Sequence, residues 1–149
     1  MKKLFIAVLF LAVVFGACGQ DVIYRNTATI QWNAPVVSLL PGESIEYNVY
    51  LWDMALGDPT LQPVSSLMFV GRVSALELAI DMTVIQRKEY AVAVQSVLVQ
   101  ADLAEVEGDV AYSTVTADVD PTLHPQGHFT YAPLFGVIPS PTDLRDAGM

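Results

Sequence analysis

Residues 45–52 read Ile-Glu-Tyr-Asn-Val-Tyr-Leu-Trp, and this alternation decides the fold class. Tyr47, Val49 and Leu51 share one face of an extended strand, because successive side chains in a strand point to opposite faces. Similar alternation predicts strands at 27–32, 76–81, 90–95 and 110–116, with shorter ones at 22–24 and 68–73. Long helical periodicity is absent and β-branched residues fill the apolar positions, so the sequence predicts an all-β antiparallel sandwich.

The order of these segments resembles a fibronectin type III domain, which is an immunoglobulin-like sandwich. Residues 29–35 (Thr-Ile-Gln-Trp-Asn-Ala-Pro) are similar to the second strand of that family, and 47–49 (Tyr-Asn-Val) to its third. Residues 90–94 (Tyr-Ala-Val-Ala-Val) are similar to the sixth strand, which makes Tyr90 the tyrosine-corner residue of the resemblance. The resemblance implies one sandwich over 22–118, with Trp32 and Tyr90 in its core.

The last part of the chain, residues 119–149, has a different composition. It holds five of the nine prolines, yet Phe129, Tyr131 and Phe135 make it too apolar for a solvated tail. We therefore expect a Pro-rich extension that packs on the domain and covers a sheet edge or face, where it could supply the edge pairing that the short first strand lacks. Docking of this extension into a partner protein is the alternative.

The N-terminus has the features of an export signal. Lys2 and Lys3 precede an apolar run from Leu4 to Phe15, which is too short to span a bilayer, and small residues lead to Cys18. This pattern resembles a bacterial lipoprotein signal, so we expect a signal peptide over 1–17 and a linker over 18–21 that is acylated on Cys18. Cys18 is the only cysteine, which also favours acylation, although secretion with cleavage after Gly19 stays open. Gly19 in place of Asp favours an outer-membrane location.

Charge and motifs exclude several classes of function. The net charge is −9, and loss of Lys2 and Lys3 with the signal would make it −11, which argues against nucleic-acid partners. Neither a nucleophile elbow nor a phosphate loop is present, so we predict no enzyme and no cofactor. Two groups contain residue types that bind metal ions, but neither has the spacing of a metal site: Asp118, Asp120, His124 and His128; Asp102, Glu105, Glu107 and Asp109.

The strongest candidate for partner binding is one sheet face. By alternation, Tyr50 and Trp52 point away from the core, and the resemblance places Ala91 and Ala93 beside them. Rigid aromatic side chains over small residues are typical of protein or glycan contacts, although tail aromatics could cover this face. We expect a lipid-anchored binding or adhesion module of the cell envelope that recognises a protein or glycan through this face or through the sandwich loops. The alternative is a structural subunit of an envelope complex that docks through its tail.

Overall fold

The computed structural model describes residues 21–125 and 127–137. The predicted signal peptide over 1–17, Cys18 and the chain after Val137 lie outside the described residues. Within them the long elements are strands, joined by loops and by single-turn 3-10 helices. Their bounds are β1 Asp21–Arg25, β2 Thr27–Gln31, β3 Ser44–Asp53, β4 Met68–Val73, β5 Glu77–Asp81, β6 Tyr90–Val99, β7 Glu105–Tyr112 and β8 Phe129–Pro133.

The strands form two sheets. The larger sheet has the order β1-β8-β6-β3-β4, with β7 also paired to β6, and the smaller sheet pairs β2 with β5. The pairs are antiparallel except for β1 and β8, which run parallel. This arrangement confirms the prediction of an all-β sandwich.

The main core lies between the two sheets. Ala28 and Ile30 of β2 are buried against Val49 of β3, and other members of this cluster come from β5, β6 and β8. The predicted alternation is therefore correct on these strands. Tyr90 is buried, as predicted, whereas Trp32 is only partly buried and packs on the edge of the cluster.

The C-terminal region pairs with the first strand, but it does so through a strand inside the sheet, which the sequence did not predict. Its residues 129–133 form β8, which lies inside the larger sheet between β1 and β6. The chain leaves the sheet after β7 and returns where Phe129 N donates to Ser113 O at 2.8 Å. The predicted boundary between residues 118 and 119 therefore does not separate the sandwich from an extension packed on its outside, because β8 is part of the larger sheet. Pro121 and Pro125 do not prevent this pairing, because both lie in the loop between β7 and β8.

Strand β7 also differs from its predicted bounds of 110–116. The β6–β7 hairpin turns at 100–104, where Gln100 N donates to Ala104 O at 2.8 Å, so pairing already begins at Glu105. Glu105, Glu107 and Asp109 therefore lie on a strand and not in a loop. Exposed charged side chains of this kind are usual on an edge strand, where they discourage pairing with other chains.

Candidate functional site

The predicted aromatic contact face is covered in the structure. Tyr50 and Trp52 are 8% and 6% exposed, and Ala91 and Ala93 are each 1% exposed. These residues form a second core cluster together with Leu67. The expectation that this face is open to a partner is therefore wrong, although the predicted direction of the side chains is correct.

The cover is the segment 54–67 that connects β3 to β4. Met54 and Val64 pack against the second cluster, and Trp52 Nε1 donates to Gly57 O of the same segment at 2.9 Å. On the inner side of the cover, Tyr50 Oη donates to Gln95 Oε1 at 3.3 Å. The indole and hydroxyl groups thus have partners within the chain, and the face serves as core.

The tail aromatics do not form this cover either. Tyr131 belongs to the main core between the sheets, and Phe129 packs against the same cluster. Sequence reasoning missed segment 54–67 because it has no strand or helix periodicity. One feature of the sequence could have indicated that this segment packs on the sheet. It has many apolar residues for a connection that also contains Gly57, Pro59 and Pro63.

The loop between β7 and β8 contains the carboxylates and histidine weighed as metal ligands. Asp118 Oδ2 accepts a hydrogen bond from Tyr112 N at 3.0 Å. Hydrogen bonds from the side chain and backbone of Thr122 lower the pKa of Asp120. The His124 ring stacks on Phe129 with centroids 4.3 Å apart. Over residues 21–125 and 127–137, no three His, Cys, Asp or Glu side chains are grouped as metal ligands.

A cleft of about 210 Å³ lies between β2 and this loop. Trp32 and Phe129 line it, and Asp118 and Asp120 stand at its rim. Asp118 already accepts a hydrogen bond from Tyr112 N of β7, and Asp120 accepts one from Thr122 N of the loop. The Trp32 Nε1 atom is buried and has no hydrogen-bond partner. The two carboxylates and the indole therefore do not single out a ligand for this cleft.

The more prominent surface is one end of the sandwich, here called the loop end and defined as residues 33–41 and 100–104. Its exposed aliphatic side chains are Val36, Val37, Leu39, Leu40 and Leu103. Val36 is fully exposed and Leu103 is 80% exposed. The two loops are adjacent, because a Cβ built on Gly42 would lie 3.1 Å from Cβ of Ala101. Such a group of aliphatic side chains exposed together is typical of an interaction surface.

A shallow cavity continues this surface onto the sheet. It has a volume of about 180 Å³ and is lined by Val37 and Leu39 from the loop and by Leu98 and Val106 from the hairpin. The apolar surface of the loop end therefore continues from the loop onto strands β6 and β7. This cavity gives a partner side chain a place to enter.

The rim of the loop end is acidic. Residues 33–41 contain no charged side chain, whereas Glu43 follows this loop and Asp102 lies next to Leu103 in the other. Each carboxylate also accepts one backbone hydrogen bond, Glu43 from Leu40 N at 2.8 Å and Asp102 from Ala104 N at 3.0 Å. Arg72, which pairs with Glu105 directly after the hairpin turn, is bound by Glu46 as well. The hydrogen bond to Glu105 raises the pKa of Arg72. An apolar centre with an acidic border therefore faces solvent.

Leu103 has an unusual backbone conformation at the tip of the hairpin. Its φ of 67° lies in the left-handed region, and it is the only non-glycine residue with positive φ in the part of the chain that the structure describes. This conformation costs an L-residue other than glycine about 1–2 kcal/mol. The hairpin holds it in place, since Leu103 N donates to Gln100 O at 2.9 Å. A strained, exposed leucine where glycine would fit better is a sign of function.

Comparison with known proteins adds no assignment. No protein-family model matches the sequence, and neither a curated protein nor a solved structure matches the chain. Among the described residues, none forms a helix with the length and apolarity needed to cross a membrane.

Proposed function

We propose that this protein is a lipid-anchored binding module of the bacterial cell envelope that engages a protein partner through its loop end. The observation that carries the proposal is the group of five exposed aliphatic side chains on two adjacent loops. An acyl anchor on Cys18, in the outer membrane, would hold the module in place. Recognition through loops is one of the two modes that the sequence favoured, and the covered aromatic face removes the other.

We also infer an immunoglobulin-like sandwich of the fibronectin type III kind. Support comes from the strand order, in which β2 pairs with β5 and β3 pairs with both β4 and β6. In immunoglobulin-like domains, the loops after the second and sixth strands emerge at one end of the sandwich and often bind ligands. The corresponding loops here are 33–41 and 100–104. The interruption between β7 and β8 is a departure from that pattern.

The chemistry of the loop end favours a protein over a glycan. Residues 33–41 and 100–104 include no aromatic side chain on which a sugar ring could stack. Aliphatic side chains at the centre of a patch with a polar rim are the arrangement of protein interfaces. The acidic rim further favours a partner whose apolar pocket is bordered by Lys or Arg. The alternative of docking through the tail has less support, because residues 129–133 already belong to the larger sheet.

The anchor can be tested on the native protein. We expect Cys18→Ala to release the protein from the membrane fraction, because that substitution removes the thiol that would be acylated. The intact mass of the wild-type protein should show Cys18 as the first residue with attached acyl chains. An N-terminus at Gln20 would contradict the anchor.

The binding surface can be tested in membranes solubilised in mild detergent. We expect Leu40→Asn with Leu103→Asn to shift the protein from a larger complex to the free form on native electrophoresis. A matched control is Leu56→Asn with Leu61→Asn, since these leucines are 64% and 79% exposed but lie in segment 54–67. The same shift in both double variants, or no complex in the wild type, would contradict binding through the loop end.

A further inference from the structure

We propose that the β1 edge of the larger sheet lies against the lipid bilayer. The β1 edge is defined here as Tyr24 and Arg25 at the end of β1, Leu134 and Phe135 after β8, and Arg87, which pairs with the segment after them. The occupant is the phospholipid leaflet that holds the acyl chains of Cys18. The inference thus rests on the anchor of the proposed function and adds how the module sits on the membrane.

The length of the tether supports this placement. Asp21 begins β1 and is three residues after Cys18 in the sequence. Three residues span at most about 11 Å, even when fully extended. β1 pairs along its whole length with β8, and Asp21 N donates to His128 O at 3.2 Å. An acylated Cys18 would therefore keep β1, an edge strand, close to the surface of the membrane.

The β1 edge has the apolar side chains that an interface requires. Tyr24 is 59% exposed and Phe135 is 70% exposed, and Leu134 is also exposed. They are neighbours, because Leu134 N donates to Arg25 O at 3.2 Å. Tyrosine and other amphipathic or aromatic side chains are favoured at the boundary between water and lipid, where the ring is buried and the polar group stays hydrated.

Two of the chain's cations, Arg25 and Arg87, lie at the same place. After removal of the signal, the sequence has five basic residues, and three of them are Arg25, Arg87 and Lys88. Arg25 lies at the end of β1, and Arg87 N donates to Val137 O at 3.0 Å, just beyond Phe135. Lys88 is paired with Asp53 at 2.5 Å. Arginine side chains beside exposed apolar rings suit the phosphate groups of a lipid headgroup layer.

The charge distribution favours the bilayer as the occupant of this edge and a protein as the occupant of the loop end. The loop end has an acidic border, whereas the exposed end of the β1 edge has Arg25 and Arg87, and Asp21 lies at the other end of β1. The two surfaces lie apart along the molecule. β6 starts beside β8, where Tyr90 pairs with Tyr131, and runs for 10 residues to the hairpin of the loop end. At about 3.3 Å per residue this separates the surfaces by about 33 Å.

The test uses the mature chain, residues 18–149, attached to neutral phosphatidylcholine vesicles through a maleimide lipid. Cys18 is the only cysteine, so coupling is specific. Phe135→Trp reports on the β1 edge, and Phe69→Trp is the matched control, because Phe69 is 56% exposed on β4 at the opposite edge. On the vesicles, we expect the tryptophan emission of Phe135→Trp to shift to shorter wavelength relative to the wild type. When the vesicles also contain spin-labelled lipid, we expect this emission to be quenched. Phe69→Trp should show neither.

Two results would overturn the inference: unchanged emission from Phe135→Trp, or equal quenching of Phe69→Trp. Circular dichroism and a cooperative unfolding curve for each variant establish that the domain is folded. The maleimide lipid supplies an anchor whether or not the native protein is acylated. Failure in the vesicles therefore counts against the placement of the β1 edge alone, whereas the intact mass of the native protein tests the proposed anchor separately.

Discussion

Trp32 is a residue whose ring and polar atom have opposite effects on stability. Its ring lies 5.4 Å from the ring of Tyr47 and packs against the main core. Its Nε1 is buried without a partner, which costs the free energy of removing an N–H group from water. We expect Trp32→Ala to lower the free energy of unfolding by about 3 kcal/mol, the lower end of the range for a core tryptophan, because the ring is only partly buried. Trp32→Phe should cost much less, because it keeps an aromatic ring and removes the unpaired donor.

Urea denaturation of the two Trp32 variants and the wild type measures this difference. Tyr90 is buried on β6 in the same cluster and provides the comparison, since Tyr90→Ala should also be strongly destabilising. Equal losses for Trp32→Ala and Trp32→Phe would show that the indole N–H has a partner in solution.

Substitution of Leu103 by glycine is expected to change stability and partner binding in opposite directions. Leu103→Gly relieves the positive φ and should raise the free energy of unfolding by up to about 1 kcal/mol. The same substitution removes an exposed side chain from the loop end, so it should weaken the complex seen on native electrophoresis. Leu103→Ala is the control, because it removes the side chain and keeps the strain. An unstable Leu103→Gly variant, or one with full binding, would contradict this account of the residue.

At the scale of elements, the segment after β8 is held by close backbone contacts. A Cβ on Gly136 would lie 2.7 Å from Ile85 O and 3.0 Å from Arg87 N. These atoms bond Val137, which donates to Ile85 O and accepts from Arg87 N. We expect Gly136→Ala to lower the free energy of unfolding, since backbone atoms cannot move aside as a flexible side chain can. Gly71→Ala on β4 is the control, because its Cβ would meet only a leucine methyl at 3.8 Å.

Thermal unfolding of the two alanine variants measures the effect. A melting temperature of Gly136→Ala equal to that of Gly71→Ala would mean that the segment after β8 does not pair with residues 85–87 in solution.

Strand β8 is expected to be essential for folding. It is the only described strand that pairs with β1, and its Tyr131 belongs to the main core, so a chain that ends at Asp120 leaves β1 without a neighbour and opens the core beside β6. We expect that truncation to abolish cooperative unfolding. A chain that ends at Val137 keeps all eight described strands and should unfold cooperatively. A cooperative transition of the shorter chain would contradict the place of β8 inside the sheet.

Strands could be predicted from the sequence where one face is buried, because apolar and polar residues then alternate. Segments that pack through irregular turns could not be predicted, because they leave no such alternation. Alternation located β2, β3, β5 and β6, and the predicted bounds of β4 are those observed. Segment 54–67 covers Tyr50 and Trp52 through irregular turns, so its packing leaves no repeating pattern in the sequence. The prolines of the C-terminal region obscured β8. Val36 to Leu40 are visibly apolar, but apolarity in a loop does not by itself distinguish exposure from burial.

At the scale of the whole molecule, hydrogen-bonded carboxylates are expected to link stability to pH. Burial acts to raise the pKa of Asp53, but hydrogen bonds from Lys88 and from Ala55 N outweigh it, so the pKa is lowered. Hydrogen bonds from Thr83 lower the pKa of Asp81. A lowered pKa stabilises the folded state above the ordinary aspartate value of 3.8. This contribution is lost as the pH falls through the lowered values.

Urea unfolding at pH 7, pH 5 and pH 3 measures this dependence, and we expect the free energy of unfolding to be similar at the first two and lower at the third. Lys88→Met should reduce the loss between pH 5 and pH 3, because Asp53 then has no ammonium partner. Equal stability at pH 3 and pH 7 would contradict the role of these carboxylates.

The most direct test of the central claim, that the loop end binds a protein partner, is site-specific photo-crosslinking in living cells. A photo-reactive phenylalanine analogue at position 103 reports on the loop end, and the same analogue at position 61 reports on an exposed leucine elsewhere. The account predicts an adduct of one discrete mass from position 103 that disappears when Leu40→Asn is added, and no adduct from position 61. Absence of an adduct from position 103, or the same adduct from both positions, would contradict it.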